Sequence, residues 1–235
     1  MANFPGFDSG SYPGDHVMEN WFGNPYVFTG YYLEAPCHNA NKFKPWAGHM
    51  NTLKQIGWGF VVCYVGRQAA GCGSDKLTRA HGLTDAQDAI TKAKNDAMDD
   101  EGTIFLDIER MEDLNEDMVH YMRGWIRGLL DDGTYSPGVY AHFHNAVDLF
   151  NEARKEYADV GQANGAPAFW IVRVPGGNKF NVLTSGPQDL TNLSPSIPFA
   201  SVWQGKIDLA SETHNDVKFG PVDQNVADSP NPSKA

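Results

Sequence analysis

A single (β/α)8 barrel of the TIM type, with irregular last two β/α units, is the fold class the sequence predicts, and three observations carry it. Eight short runs with β-type patterning alternate with helix-like stretches from one end of the chain to the other. The length of 235 residues is near the roughly 250 typical of that barrel and can bury one sizeable core. The competing doubly wound sheet needs a phosphate loop after a strand. Neither GxGxxG nor GxxxxGK followed by Ser or Thr stands at such a place.

Taken in order, the run Phe4 to Asp8 opens the chain and a helix-like stretch from Asp15 to Phe22 follows. Val27 to Glu34 precedes a helix over Trp46 to Ile56, and Gly59 to Gly66 precedes one over Thr84 to Asp100. Thr84 and Gln87 have the form of a capping box, in which each side chain satisfies a free amide of the first turn. Thr103 to Glu109 comes next, then a helix over Asp113 to Asp131 whose acidic start suits the helix dipole. Gly138 to His144 leads into a helix over Asn145 to Val160, and the last three runs are Ala168 to Val174, Phe199 to Gln204 and Val222 to Val226. The connections Pro175 to Pro198 and Gly205 to Pro221 are rich in Gly, Pro, Ser and Asn, so short or missing helices are expected there. Residues 1–227 are assigned to the barrel and 228–235, with two Pro and two Ser, to a flexible, frayed tail.

Lys and Arg number 18 against 29 Asp and Glu, a formal net charge of −11. That balance argues against nucleic-acid binding, which relies on neutralising phosphates, and against anionic membrane surfaces. No apolar run approaches the roughly 18 residues that span a bilayer, and Met1 to Gly10 lacks the basic start and apolar stretch of a signal peptide. The chain therefore stays where it is made, leaves by another route, or has lost a leader. Its three cysteines lack metal-ligand spacing. Cys63 reads as a buried small hydrophobe, while Cys37 and Cys72 stand in turn-rich segments with pairing left open.

Residues two apart in a strand share a face. In Thr103 to Glu109 the even positions Ile104, Leu106 and Ile108 are apolar and turn to the helices, which leaves Asp107 and Glu109 facing inward at the C-terminal end. Asp8 ends the first run in the same way. In the fifth run Tyr140, His142 and His144 share one face, and the second run adds Tyr32 and Glu34. Active sites of such barrels lie at the C-terminal strand ends, so these residues converge on one mouth. Glycoside hydrolysis needs one protonated acid for the leaving oxygen and a second carboxylate as base, nucleophile or stabiliser. Crowded carboxylates in a desolvated mouth raise one another's pKa and supply that acid. Trp46, Trp58, Trp125, Trp170 and Trp203 suit stacking on sugar rings or filling a core.

Gly6-Phe7-Asp8, Phe28-Thr29-Gly30-Tyr31-Tyr32-Leu33, Gly57-Trp58-Gly59 leading to Tyr64-Val65-Gly66, and Phe105-Leu106-Asp107-Ile108-Glu109 resemble the Rv2525c-like glycoside-hydrolase-like domain. That family is similar in turn to family 25 glycoside hydrolases, lysozymes of the N-acetylmuramidase type. Pro137 to Tyr140, Trp170 to Val172, Val202 to Gln204 and Val222 to Asn225 continue the likeness to the last strand. The resemblance implies a barrel that cleaves the β-1,4 bond of peptidoglycan strands with retention, assisted by the substrate's 2-acetamido group, without metal or cofactor. It implies Glu109 as general acid, Asp107 orienting the acetamido group, and Asp8 and Asp223 completing an acidic ring. Tyr32, Glu34, Tyr140 and His142, placed at the mouth by strand parity, together with Trp170, Trp203 and Gln204 from the matching segments, make up the rest of the expected substrate-binding set. Action in a cell wall, the periplasm or outside the cell follows, with any delivery or immunity partner left open. The alternatives are a catalytically silent barrel that binds glycan or protein through the same mouth, and a metal-dependent hydrolase built on His142, His144 and Asp107.

Overall fold

The computed structural model describes residues 4–38, 42–173 and 197–234. Strands β1 (Phe4–Asp8), β2 (Phe28–Leu33), β3 (Gly59–Tyr64), β4 (Thr103–Ile108), β5 (Ser136–His142), β6 (Ala168–Val172), β7 (Ala200–Leu209) and β10 (Val222–Ala227) close into one barrel, in the order β1-β10-β7-β6-β5-β4-β3-β2. Helices α1 (Asp15–Trp21), α2 (Met50–Ile56), α3 (Arg79–Asn95), α4 (Glu116–Asp132) and α5 (Phe143–Asp159) fill the first five crossovers. Neighbours from β1 round to β7 run parallel, whereas β10 is antiparallel to both β7 and β1. The eighth strand therefore descends, and its first residues, not its last, lie at the mouth. Asp223 stands in register with Asp8 for that reason.

The two faces separate as the alternation predicts. Ile104, Leu106 and Ile108 pack in the outer core beneath the helices, while Phe105 joins Phe28, Val61, Cys63 and Trp170 in the smaller core inside the barrel. Helix α4 presents Met118, Tyr121, Met122, Trp125, Ile126 and Leu129 to the outer core at helical spacing. It lies close against α3: a Cβ on Gly82 would come within 2.1 Å of the Tyr121 carbonyl oxygen, and one on Gly124 within 2.1 Å of that of Arg79. Helix α5 is tied to the pair through the fully buried Glu156, which accepts from Arg79 Nη1 at 2.9 Å and Arg123 Nε at 3.0 Å.

Element boundaries depart from the sequence expectation for identifiable reasons. Gly48 has φ 85°, outside helical space, so α2 starts at Met50 instead of Trp46. Helix α3 starts five residues before Thr84: Thr78 is its cap and accepts from the His81 amide, while Thr84 Oγ1 donates back to the Ala80 carbonyl. The capping box at Thr84 and Gln87 does not form. Asn115 caps α4 and His142 caps α5, which ends β5 two residues before His144. The segment after β7 holds a hairpin of β8 (Glu212–His214) and β9 (Val217–Phe219) where the sequence predicted irregular chain. The hairpin docks on α1, with Trp21 Nε1 donating to the Val217 carbonyl at 2.9 Å. Most of the connection Pro175 to Pro198 lies outside the described residues.

The tail is the largest departure. Residues 228–234 turn back under the barrel, where Ser233 is fully buried. Ser233 bridges two strands: its Oγ accepts from Val62 N at 2.8 Å, its carbonyl from Thr103 N at 2.7 Å, and its amide donates to the Phe60 carbonyl at 2.8 Å. Asn231 Oδ1 accepts from Phe60 N at 3.0 Å. Strands β3 and β4 pair directly only from Val62 and Ile104 upward, so the tail supplies their missing partners below. A Cβ at Gly59 would fall 1.9 Å from the Pro230 carbonyl oxygen, which is why glycine stands there.

Candidate active site

Strand ends of the barrel deliver the site. A cavity of about 100 Å³ opens at the mouth, lined by Asp8, Asp107, Glu109 and Asp223 with Tyr32, Tyr140, Gln204, Trp170 and Cys63. Six of these are positions the sequence predicts on strand parity or family likeness and two more, Trp170 and Gln204, belong to the implied substrate-binding set; only Cys63 was read as plain core.

Asp8 is 3% exposed and accepts three hydrogen bonds: Tyr32 Oη at 2.7 Å on Oδ1, and Gln204 Nε2 at 2.9 Å and Asn225 Nδ2 at 2.6 Å on Oδ2. Burial pushes its pKa up and these donors oppose the rise. Gln204 is a hub, since its Oε1 accepts from Tyr140 Oη at 2.8 Å and its Nε2 also reaches Asp223 Oδ2 at 3.0 Å. Trp170 lies on the floor, 1% exposed, its indole donating to Asn225 Oδ1 at 2.9 Å and its ring edge-on to Tyr140. It is a buried support and not an open stacking platform.

Asp107 is driven well above the usual carboxylate range, first by burial and then by the neighbouring charges of Glu109 and Asp8. Its Oδ1 is buried with no partner. Glu109 stands one turn of the pleat further out, exposed at the rim, and partial desolvation still raises its pKa. Gln68 sets the spacing of the two acids, its Nε2 donating to the Asp107 carbonyl at 3.0 Å and its Oε1 accepting from the Glu109 amide at 3.0 Å. Gln68 and Asn225 escaped the sequence reading. The parity of Asp223-Gln224-Asn225 carried a signal for Asn225, but a loop glutamine that acts on backbone atoms leaves none.

Three expected site residues stand elsewhere. Glu34 is exposed beyond the end of β2. Trp203 lies on the strand face opposite Gln204, with its indole on the Arg173 carbonyl at 3.1 Å. His142 uses Nδ1 to accept from the His144 amide at 3.1 Å, and His144 Nε2 meets the Glu112 carbonyl at 3.1 Å, so neither ring turns into the cavity. Among the described residues no three His, Cys, Asp or Glu side chains stand together to hold a metal ion.

The cavity lies midway along a cleft. A groove of about 540 Å³ shares Asp8, Tyr32 and Asp223 with it and runs past Phe43 and Pro221. A second groove, about 380 Å³, shares Glu109 and runs past Gln68 and Arg110. Cys37 and Cys72 form a disulfide that joins the loops after β2 and β3. His38, beside it, is stacked between Tyr32 and Phe43 and bonded to the Gly10 carbonyl at 2.8 Å, which steadies the wall behind Asp8.

Two predictions arise here. A Cβ on Gly30 would lie 2.5 Å from the Asp8 Cβ, so Gly30→Ala displaces Asp8 from its three donors. Any activity at this mouth should fall by more than about tenfold while melting shifts only modestly, as comparison of activity and thermal unfolding will show. Asp107→Asn should raise the melting temperature at neutral pH. Between the ordinary value of 3.8 and the raised folded one, the unfolded chain has lost the proton that the folded chain keeps, so stability falls as pH rises through that window. The gain should vanish below about pH 4, where both states of the wild type hold the proton. Unfolding scans across pH test it, and a destabilised variant at neutral pH refutes it.

The comparisons with known proteins fall on the same frame. A sequence model of the Rv2525c-like, glycoside hydrolase-like domain matches residues 19–226. The chain belongs to that family. No curated protein matches it in sequence. This Rv2525c-like domain superposes on an uncharacterized protein of B. stearothermophilus with a TM-score of 0.67 at 21% identity, covering 96% of each chain. It superposes on the Mycobacterium tuberculosis Tat-secreted protein Rv2525c, solved in complex with L-tartrate, with a TM-score of 0.57 at 18% identity over 100% of this chain and 99% of that one. The modular autolysin LytC from Streptococcus pneumoniae, solved in complex with a synthetic peptidoglycan ligand, gives 0.60 at 14% identity, over 95% of this chain and 46% of LytC. The Rv2525c-like domain thus shares its barrel fold with the autolysin LytC. Among its described residues no helix is long and apolar enough to cross a membrane.

Proposed function

We propose that this domain is a peptidoglycan hydrolase of the N-acetylmuramidase type, which cleaves β-1,4 bonds with retention. The observation that carries the reading is the pair Asp107 and Glu109 at the end of β4, both held toward their protonated forms, at the centre of a cleft open on both sides. A cleft of that form accepts an internal stretch of a glycan strand. Glu109, at the rim, donates its proton to the glycosidic oxygen as the bond to C1 breaks. The carbonyl oxygen of the 2-acetamido group attacks C1 from the opposite face, while Asp107 holds the acetamido N–H and stabilises the charge on the ring so formed. Water then attacks C1, gives its proton back to Glu109, and the anomeric configuration is retained. Asp8 and Asp223, joined through Gln204, stabilise the positive charge that develops on the sugar. The disulfide supports action in a cell wall, the periplasm or outside the cell, since such bonds persist in oxidising compartments.

Digestion of purified cell wall, followed by mass spectrometry of the reduced products, is the decisive experiment. Fragments with muramic acid at the new reducing end are expected. Ends on glucosamine, or no release at all, overturn the reading.

A further inference from the structure

We propose that the central cavity binds a β-1,4-linked sugar with a free 2-ammonium group, and that it takes de-N-acetylated glycan more tightly than the acetylated form. The inference concerns the ligand class of the site just described and rests on a glycan being seated there. It comes from a count of donors and acceptors. Among the described residues, apart from the Cys63 thiol, a weak donor, and the protons that Asp107 and Glu109 carry while un-ionised, the side-chain N–H and O–H groups facing the cavity are already committed. Tyr32 donates to Asp8, Tyr140 to Gln204 Oε1, Trp170 to Asn225, and both Gln204 amide hydrogens go to carboxylates. Among the described residues lining the cavity, the buried side-chain oxygen left without a partner is an acceptor, Asp107 Oδ1, on a residue only 9% exposed. Four carboxylates line the cavity, and among the described residues no Lys, Arg or His does.

An acetamido group brings one donor and one acceptor, and its carbonyl finds no free donor among the described residues beyond the proton of an un-ionised acid. An ammonium brings three donors, no acceptor and a positive charge. Placed against Asp107 it satisfies the orphaned oxygen and supplies the counter-charge the cavity lacks, through charge-assisted hydrogen bonds in a desolvated setting. The cavity, at about 100 Å³, accommodates the 2-substituent and the adjoining ring edge while the rest of the strand lies along the flanking grooves. Without the acetamido carbonyl such a sugar has no internal nucleophile, so it occupies the site without being cut.

Calorimetric titration of the intact chain with the β-1,4 tetramer of glucosamine, below the pKa of its amines, against the N-acetylglucosamine tetramer tests this. The amino tetramer is expected to bind at least about tenfold more tightly. Equal or weaker binding overturns the proposal. The chain's net charge attracts any polycation, so Asp107→Asn provides the control: it changes that charge only from −11 to −10 yet should abolish the preference. A preference that survives in a folded variant overturns the proposal. Should that variant fail to fold, titration of the wild type in high salt replaces it, since screening removes surface attraction and leaves the buried pair. A preference lost in salt is then the refuting result. Release of reducing ends from acetylated wall is followed in parallel. Binding of the amino tetramer with no release refutes the muramidase reading alone, and release without the preference refutes this inference alone.

Discussion

Glu109→Gln is expected to abolish detectable release of reducing ends from purified cell wall while the protein unfolds at an unchanged temperature. A positioned general acid is worth about 10² to 10⁴ in rate, and glutamine keeps the shape of the side chain while removing the proton it donates. Glu109 is exposed at the rim and makes its site contact through its backbone amide to Gln68, so the substitution removes no buried side-chain bond. Desolvation raises its pKa above 4.5, so the wild-type rate should decline as pH rises through that higher value, where the acid loses its proton. A variant with wild-type activity removes Glu109 from the mechanism. Equal loss in the rate and in melting temperature shows a structural role instead.

Removal of residues 228–235 is the second large effect, and it acts on stability. Four hydrogen bonds link Asn231 and Ser233 to Phe60, Val62 and Thr103 at the base of β3 and β4. At roughly 1 kcal/mol each, with a further penalty for strand amides left unpaired in a buried place, the deletion should cost about 4–6 kcal/mol. For a domain of this size that corresponds to a fall of roughly 10–20 °C in melting temperature, or to failure to fold. The single change Ser233→Ala, which leaves the chain at full length and orphans only the Val62 amide, should cost about 1–2 kcal/mol. Thermal and denaturant unfolding of both variants will show it. A deletion that melts with the wild type would mean that the tail contributes nothing.

Much of the molecule was legible from its residues because strands and helices write their faces into the sequence with periods of 2 and 3.6. Ile104, Leu106 and Ile108 against Phe105, Asp107 and Glu109 is such a pattern, and it placed the acids inside before any topology was known. Asp8 at the end of β1, Tyr32 and Tyr140 were legible in the same way. The rule stops where the strand stops. Glu34 and His142 have the inward parity of Tyr32 and Tyr140, yet each stands at or beyond a strand end, where Glu34 turns to solvent and His142 becomes a helix cap. Likeness to a family carried Trp203 into the expected site although its own parity, opposite to Gln204, placed it outside.

By itself, then, the sequence determined the barrel, the alternation of its layers and the strand ends that bear carboxylates, since these depend on local periodicity and on the chemistry of single residues. Tertiary structure alone decided the rest. That β10 descends and brings Asp223 beside Asp8 depends on a hairpin packing against α1. That Gln68 spans the backbone of Asp107 and Glu109, that Cys37 meets Cys72, and that a polar tail becomes the missing partner of two strands all depend on which distant segments meet. The polar pairings join groups far apart in the chain through hydrogen bonds in which a backbone N–H donates to, or a backbone carbonyl accepts from, almost any partner, and the disulfide needs only that its two loops meet, so no single position records them.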